Sequence, residues 1–181
     1  MKPTKHAIKE KLLAKGVAMP HPDTVYVADD VDPDRISGDG VTIYGGSRIM
    51  GKNTLILPGA KIGYEAPVTM ENCLAGKEVR LDGGFFQGAV FLGGNVFGSN
   101  AHVRSGTILE EQAGAAHTVG LKQTILFPFV ILGSLINFCD CFMAGGTSRK
   151  DHSEVGSSFV HFNYTPNQDK ATASMMGNVH Q

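Results

Sequence analysis

The sequence predicts an all-β chain wound as a parallel β-helix of the hexapeptide-repeat kind, and three observations predict it. From Val119 to Met143 the chain repeats in sixes: Leu126, Leu132 and Phe138 hold one phase, and Val130, Ile136 and Phe142 hold a second, four residues later. An amphipathic helix would repeat its apolar residues at three and four, and a half-buried strand at two. A period of six instead offers two apolar side chains per unit to one interior, the mark of coils built from three short strands and tight corners. The period also appears earlier, in Ile43, Ile49 and Leu55 and then, after a one-residue slip, in Ile56, Ile62, Val68 and Leu74, with Ala60 and Ala66 at the small inward position. The third observation is glycine: 23 residues, set between aliphatics in a chain without tryptophan, supply many tight turns.

Each element follows in order. Residues 3–15 read as a short amphipathic helix, with Pro3 in its first turn, Ile8, Leu12 and Leu13 on one face and Gly16 ending it. Its expected place is across the open end of the solenoid, where it covers edge groups and core side chains. Residues 1–30 form this helix and a linker arm, and residues 31–181 form the solenoid. Between Val79 and Gly106 the pattern loosens, although Val90 and Val96 keep it and the pairs Gly83-Gly84 and Gly93-Gly94 suggest corners. The stretch TILEEQAGAAHT, 107–118, has a helix-like composition, but its position between two hexad runs makes it one further coil. No inward aliphatic appears in AGGTSRKDHSE, so a polar loop is expected near 144–154 before the pattern resumes at Val155. No atypical capping unit precedes Gln181, the expectation being a truncated solenoid or a neighbouring subunit over its end.

Length and charge narrow the function classes. A chain of 181 residues accommodates one domain with a continuous core, and a net charge of −1 argues against nucleic acid or a membrane surface as the main partner. Three cysteines without the spacing of a secreted scaffold fit a reduced, cytoplasmic setting. Cys139-Asp140-Cys141 lacks a second half of CxxC or paired-His type, and His102 and His117 lack a third ligand, so no metal is expected.

Two blocks of the chain, LLAKGVAMPHPDTVYVADDV and the stretch from Val103 to Met143, resemble one family. It is the bifunctional N-acetylglucosamine-1-phosphate uridyltransferase and glucosamine-1-phosphate acetyltransferase, specifically the acetyltransferase half. The resemblance implies a left-handed parallel β-helix that assembles as a homotrimer, an exception to the right-handed crossover rule. It places Arg104 of VRSG and Lys122 of VGLK on the basic pair that binds the phosphate end of the amino-sugar acceptor. A guanidinium and an ammonium on a rigid wall make a sensible phosphate seat. Asn163-Tyr164 falls beside the acetyl donor and Ser157 on a residue lining the coenzyme A site, which makes acetyl-coenzyme A the implied co-substrate.

The departures carry equal weight. Ser134 stands where the family has its catalytic histidine, and Asn137 stands where it has a tyrosine. A serine is no base near neutral pH without an activating partner, and a lost general base costs about 10² to 10⁴ in rate. His152, beside Asp151 in the loop, is the candidate replacement, and Ser134 the candidate catalytic residue at the old position. No glycine-rich nucleotide loop for the uridyltransferase half is present. Two functions therefore stand open. One is an acyltransferase-like enzyme of altered catalysis acting on an amino-sugar phosphate or a UDP-sugar such as UDP-N-acetylglucosamine. The other is a binding or regulatory module that kept the phosphate seat and lost the chemistry.

Overall fold

The computed structural model describes residues 5–157, and these form a left-handed parallel β-helix with one short helix at its start. Each coil visits three walls in turn. The first wall runs from Tyr26–Val27 through Arg48–Met50, Val68–Glu71, Gly84–Gln87 and Ala101–Val103 to the leading halves of Gly120–Leu126 and Asn137–Met143. The second carries Leu55–Ile56, Leu74–Lys77, Val90–Gly93, Ile108–Leu109 and the trailing halves of the same two long strands. The third stacks Thr42–Ile43, Lys61–Ile62, Arg80–Leu81, Val96–Phe97, Gly114–Ala115, Val130–Leu132 and Ser153–Val155. Every pairing among them is parallel and joins a strand to the next coil.

Inward columns explain the six-residue period. Val27, Ile49, Met70, Phe86, Val103, Leu121 and Phe138 stack along the first wall. Ile56, Ala75, Phe91, Leu109, Leu126 and Met143 stack along the second. Ile43, Ile62, Leu81, Phe97, Ala115, Leu132 and Val155 stack along the third. Ile43, Ile49, Ile56, Ile62, Val68, Leu126, Val130 and Leu132 are buried as their phase requires.

The phase fails where an aromatic displaces an aliphatic. Val90 and Val96 point outward, and Phe91 and Phe97 take the interior. Together with Phe86 they place one ring per wall, at centroid separations of 5.8, 5.9 and 6.0 Å in edge-on contact. Small neighbours make room: Ala75 lies beneath Phe91 and Ala115 above Phe97. A one-residue slip in a strand sends every side chain to the opposite face, so choosing phenylalanine over valine reverses the whole coil. Leu55, Leu74 and Phe142 also turn outward, beside inward Ile56, Ala75 and Met143, and there no inward aromatic is responsible; Ala66 is only half-buried.

Corners use left-handed backbone at non-glycine residues, among them Gln112, Thr118, Gln123, Phe129, Leu135 and Asp140, with φ between 47 and 64°. Residues 107–118 form coil, with strands Ile108–Leu109 and Gly114–Ala115 and no helix. At the start, the helix Lys5–Lys15 buries Ile8 and Leu12, and Gly16 at φ 108° ends it. Leu13, expected on the same face, is exposed, because it lies one residue past the buried Ile8 and Leu12 stripe. The loop closes sooner than its composition suggests: strand begins at Ser153, paired to Val130, so only 144–152 project. Arg149 Nε pins that loop by donating to Gln112 Oε1 at 2.6 Å.

Candidate functional site

Outside the first wall, two columns of side chains stand side by side. One holds Thr69, Phe85, His102, Gly120 and Asn137 in direct register. The other holds Glu71 and Gln87, then Arg104 and Lys122, then Cys139. Alternation dictates this, since Val103 and Leu121 point in and the residues that follow them must point out. Arg104 N donates to Leu121 O at 2.8 Å, which seats Arg104 one rung below Lys122 on the same wall. Rungs lie about 4.8 Å apart, so the two basic side chains rise from neighbouring rungs of one wall. Neither is ion-paired to an acid among the described residues, where the ion pairs are Arg80 with Asp82 and His152 with Glu154.

Beside the basic pair the wall is notched. Gly120 carries no side chain, and a Cβ there would stand 2.7 Å from Asn137 Oδ1. The Asn137 amide therefore folds over a bare rung. Below the notch, the His102 ring stacks on Phe85 with centroids 5.1 Å apart and planes at 27°. The result is a flat aromatic step, an amide and two cations within about two residues along the strand, some 7 Å.

The corner that leads from the third wall into this surface holds the second group. Ser134 Oγ lies 2.8 Å from His117 Nδ1. The two residues occupy equivalent corners of successive coils, followed by Leu135 and Thr118 at φ 64 and 60°. Ser134 is only 9% exposed whereas His117 is open to solvent. Ser134 is also held from behind, since its N–H donates to Ser157 Oγ at 2.9 Å. With Nδ1–H donating to Ser134 Oγ, Nε2 of His117 keeps a lone pair facing outward and is able to take a proton.

The sequence-derived residues divide accordingly. Arg104, Lys122 and Asn137 share the first wall, and Ser134 with Ser157 sits at the corner that feeds it. His152 does not join them. It lies on the loop over the third wall, its Nε2 bonded to Glu154 Oε2 at 3.0 Å and its Nδ1 to Arg149 O at 3.1 Å. The Glu154 carboxylate, and next the Arg149 carbonyl, push the imidazole pKa up, which favours the charged form and leaves no free lone pair for a base. Asn163 and Tyr164 lie outside the described residues. His117 was missed as the partner of Ser134, although a signal existed: the two are separated by one coil, the same interval as Ala115 and Leu132, which pair directly. Cys139 and Cys141 diverge around the corner at Asp140, the first exposed and the second partly covered against Thr124. No cluster of three or more potential metal ligands occurs among the described residues, and no helix there is long and apolar enough to cross a membrane.

No protein-family model matches the chain, and no curated protein matches it.

Proposed function

We propose that the protein is an acyltransferase-like enzyme that acylates the amine of an amino-sugar phosphate, or of a UDP-linked sugar, with His117 as general base. The observation that carries this reading is the Ser134–His117 contact, set at the corner that opens onto the wall bearing Arg104 and Lys122. The hydroxyl orients the imidazole, and in the tautomer with the proton on Nδ1 the ring supplies the proton acceptor that Ser134 alone cannot be. The acceptor phosphate lies between Arg104 and Lys122, the sugar ring covers the Gly120 notch on the Phe85–His102 step, and Asn137 hydrogen-bonds a ring substituent.

In the reaction, the acceptor nitrogen attacks the carbonyl carbon of an acyl thioester, acetyl-coenzyme A in the first instance. The C–N bond forms, His117 Nε2 takes the amine proton, and collapse breaks the C–S bond. The departing thiolate receives that proton and leaves as the thiol. Ser157 holds Ser134 in place by accepting from its backbone N–H. His152 has no part in the proton transfer.

The working unit is a homotrimer. Its support is an outward ladder on the second wall in which Leu55, Leu74, Val90, Ile108, Ile125 and Phe142 stack in register. The upper three are 37%, 37% and 72% exposed, a continuous apolar stripe that a lone solenoid has no reason to leave open.

The test is a thermal-shift panel of glucosamine-1-phosphate, UDP-N-acetylglucosamine and acetyl-coenzyme A, followed by a thiol-release assay. Stabilisation by the sugar ligands and by the thioester, with thiol released only when both are present, is the expected result. Stabilisation by the sugars alone, with no thiol release, makes the protein a binding module instead.

A further inference from the structure

The third wall carries a cavity of about 540 Å³ that the acceptor site does not use. It originates in the segment 113–116, AGAA, whose outward positions hold nothing larger than Gly114 and Ala116. On the rungs to either side, Val96 and Ile131 project outward, 39% and 37% exposed, and form the banks of a furrow. The floor admits no side chain, because a Cβ on Gly114 would stand 2.8 Å from the Val96 carbonyl oxygen. One end closes on Gln112 and Arg149, which are bonded to each other. The other end is lined by Ala116 and Gly133, which immediately precede His117 and Ser134 in the chain.

The chemistry of the lining selects the occupant. The floor's backbone groups are spent on the sheet: Ala116 N donates to Leu132 O at 2.8 Å, and Gly114 pairs in register with Ile131. At the rim, Arg149 Nε is bonded to Gln112 and His152 to Glu154, which leaves the outer guanidinium nitrogens of Arg149 as donors at that one end. Between Val96 and Ile131 an arm carrying amides or phosphates would find no partners and would lose its hydration there. A hydrocarbon needs none. Four residue steps of about 3.3 Å give a furrow roughly 13 Å long; a zigzag chain with bonds of ~1.5 Å advances ~1.25 Å per bond, so this matches about ten carbons.

We infer that this furrow holds the hydrocarbon chain of the acyl group presented to Ser134 and His117, so that the preferred donor carries a medium-length acyl chain in place of acetyl. The inference rests on the acyl-transfer reading above and deepens it. The carbonyl end faces His117, and the tail lies between Val96 and Ile131 beneath the 144–152 loop.

Calorimetric titration of the full chain with acetate, butyrate, hexanoate, octanoate, decanoate and dodecanoate tests it without requiring turnover. Each added pair of methylenes tightens Kd by roughly tenfold, and the gain stops near decanoate, where the furrow is full. Ile131→Glu and, separately, Val96→Glu flatten the series while glucosamine-1-phosphate still binds; both positions are partly exposed and tolerate the change. A flat series in the unaltered protein that still binds glucosamine-1-phosphate overturns the furrow and leaves the acceptor site standing. A steep series abolished by Ile131→Glu, in a protein that binds no sugar phosphate, keeps the furrow and overturns the acceptor site instead.

Discussion

Ser134 Oγ meets His117 Nδ1 at 2.8 Å across the joint between two successive coils. This contact separates a catalyst from a wall that merely binds. Ser134→Ala and His117→Ala each lower acyl transfer by about 10² to 10⁴, with the larger loss at His117. Thermal melting moves little in His117→Ala, because that side chain is exposed. Parallel thiol-release and melting measurements check both halves, and a His117→Ala protein of full activity contradicts the assignment.

In the proposed site, Arg104 and Lys122 act together on one anion. Hydrogen bonds to charged groups contribute about 1.5–3 kcal/mol each, so either alanine substitution weakens glucosamine-1-phosphate binding by roughly tenfold to a hundredfold. The weakening grows less distinct at high salt, since screening removes the same interaction. Titration calorimetry at two ionic strengths reads both effects.

The three-ring plug of Phe86, Phe91 and Phe97 makes the middle coil the most costly to disturb. Phe91→Ala destabilises by about 3–5 kcal/mol, measured by urea unfolding, and leaves ligand affinity unchanged in the folded fraction. Ala75, beneath Phe91 on the second wall, is too small to refill the void.

His152 titrates high because Glu154 and the Arg149 carbonyl favour its charged form. A histidine whose folded pKa exceeds its unfolded value adds stability below the unfolded pKa and loses it as pH rises through the folded one. The pair is exposed, so the contribution is small and belongs to loop docking. Ring NMR titration places the His152 midpoint above 6.5, and Glu154→Gln brings it back toward that value.

The second-wall ladder predicts assembly through Ile108, Ile125 and Phe142. Ile125→Glu or Phe142→Glu converts trimers to monomers in light scattering, while the same change at exposed Lys61 on the third wall does not.

Much of this architecture was legible in the sequence because coil length and wall geometry impose the period of six wherever aliphatics fill the core. Ile56, Ile62, Leu126 and Leu132 announced themselves in that way. Phe91 and Phe97 did not, since a valine neighbour satisfied the same period and sequence spacing cannot tell which of two adjacent apolar residues turns inward. The basic pair came from the resemblance carried by VRSG and VGLK, and no spacing or period within the sequence marks it. The Ser134–His117 contact shows in no local pattern, because it depends on two corners stacking one coil apart; only the coil interval that pairs Ala115 with Leu132 points to it.

The central claim is that the Ser134–His117 corner and the Arg104–Lys122 pair belong to one site. Its most direct test is the ring resonance of His117 during titration with glucosamine-1-phosphate. A saturable shift that disappears in the Arg104→Ala, Lys122→Ala double variant is the predicted result. Binding that leaves the His117 resonance unmoved, or a shift that survives loss of both cations, contradicts it.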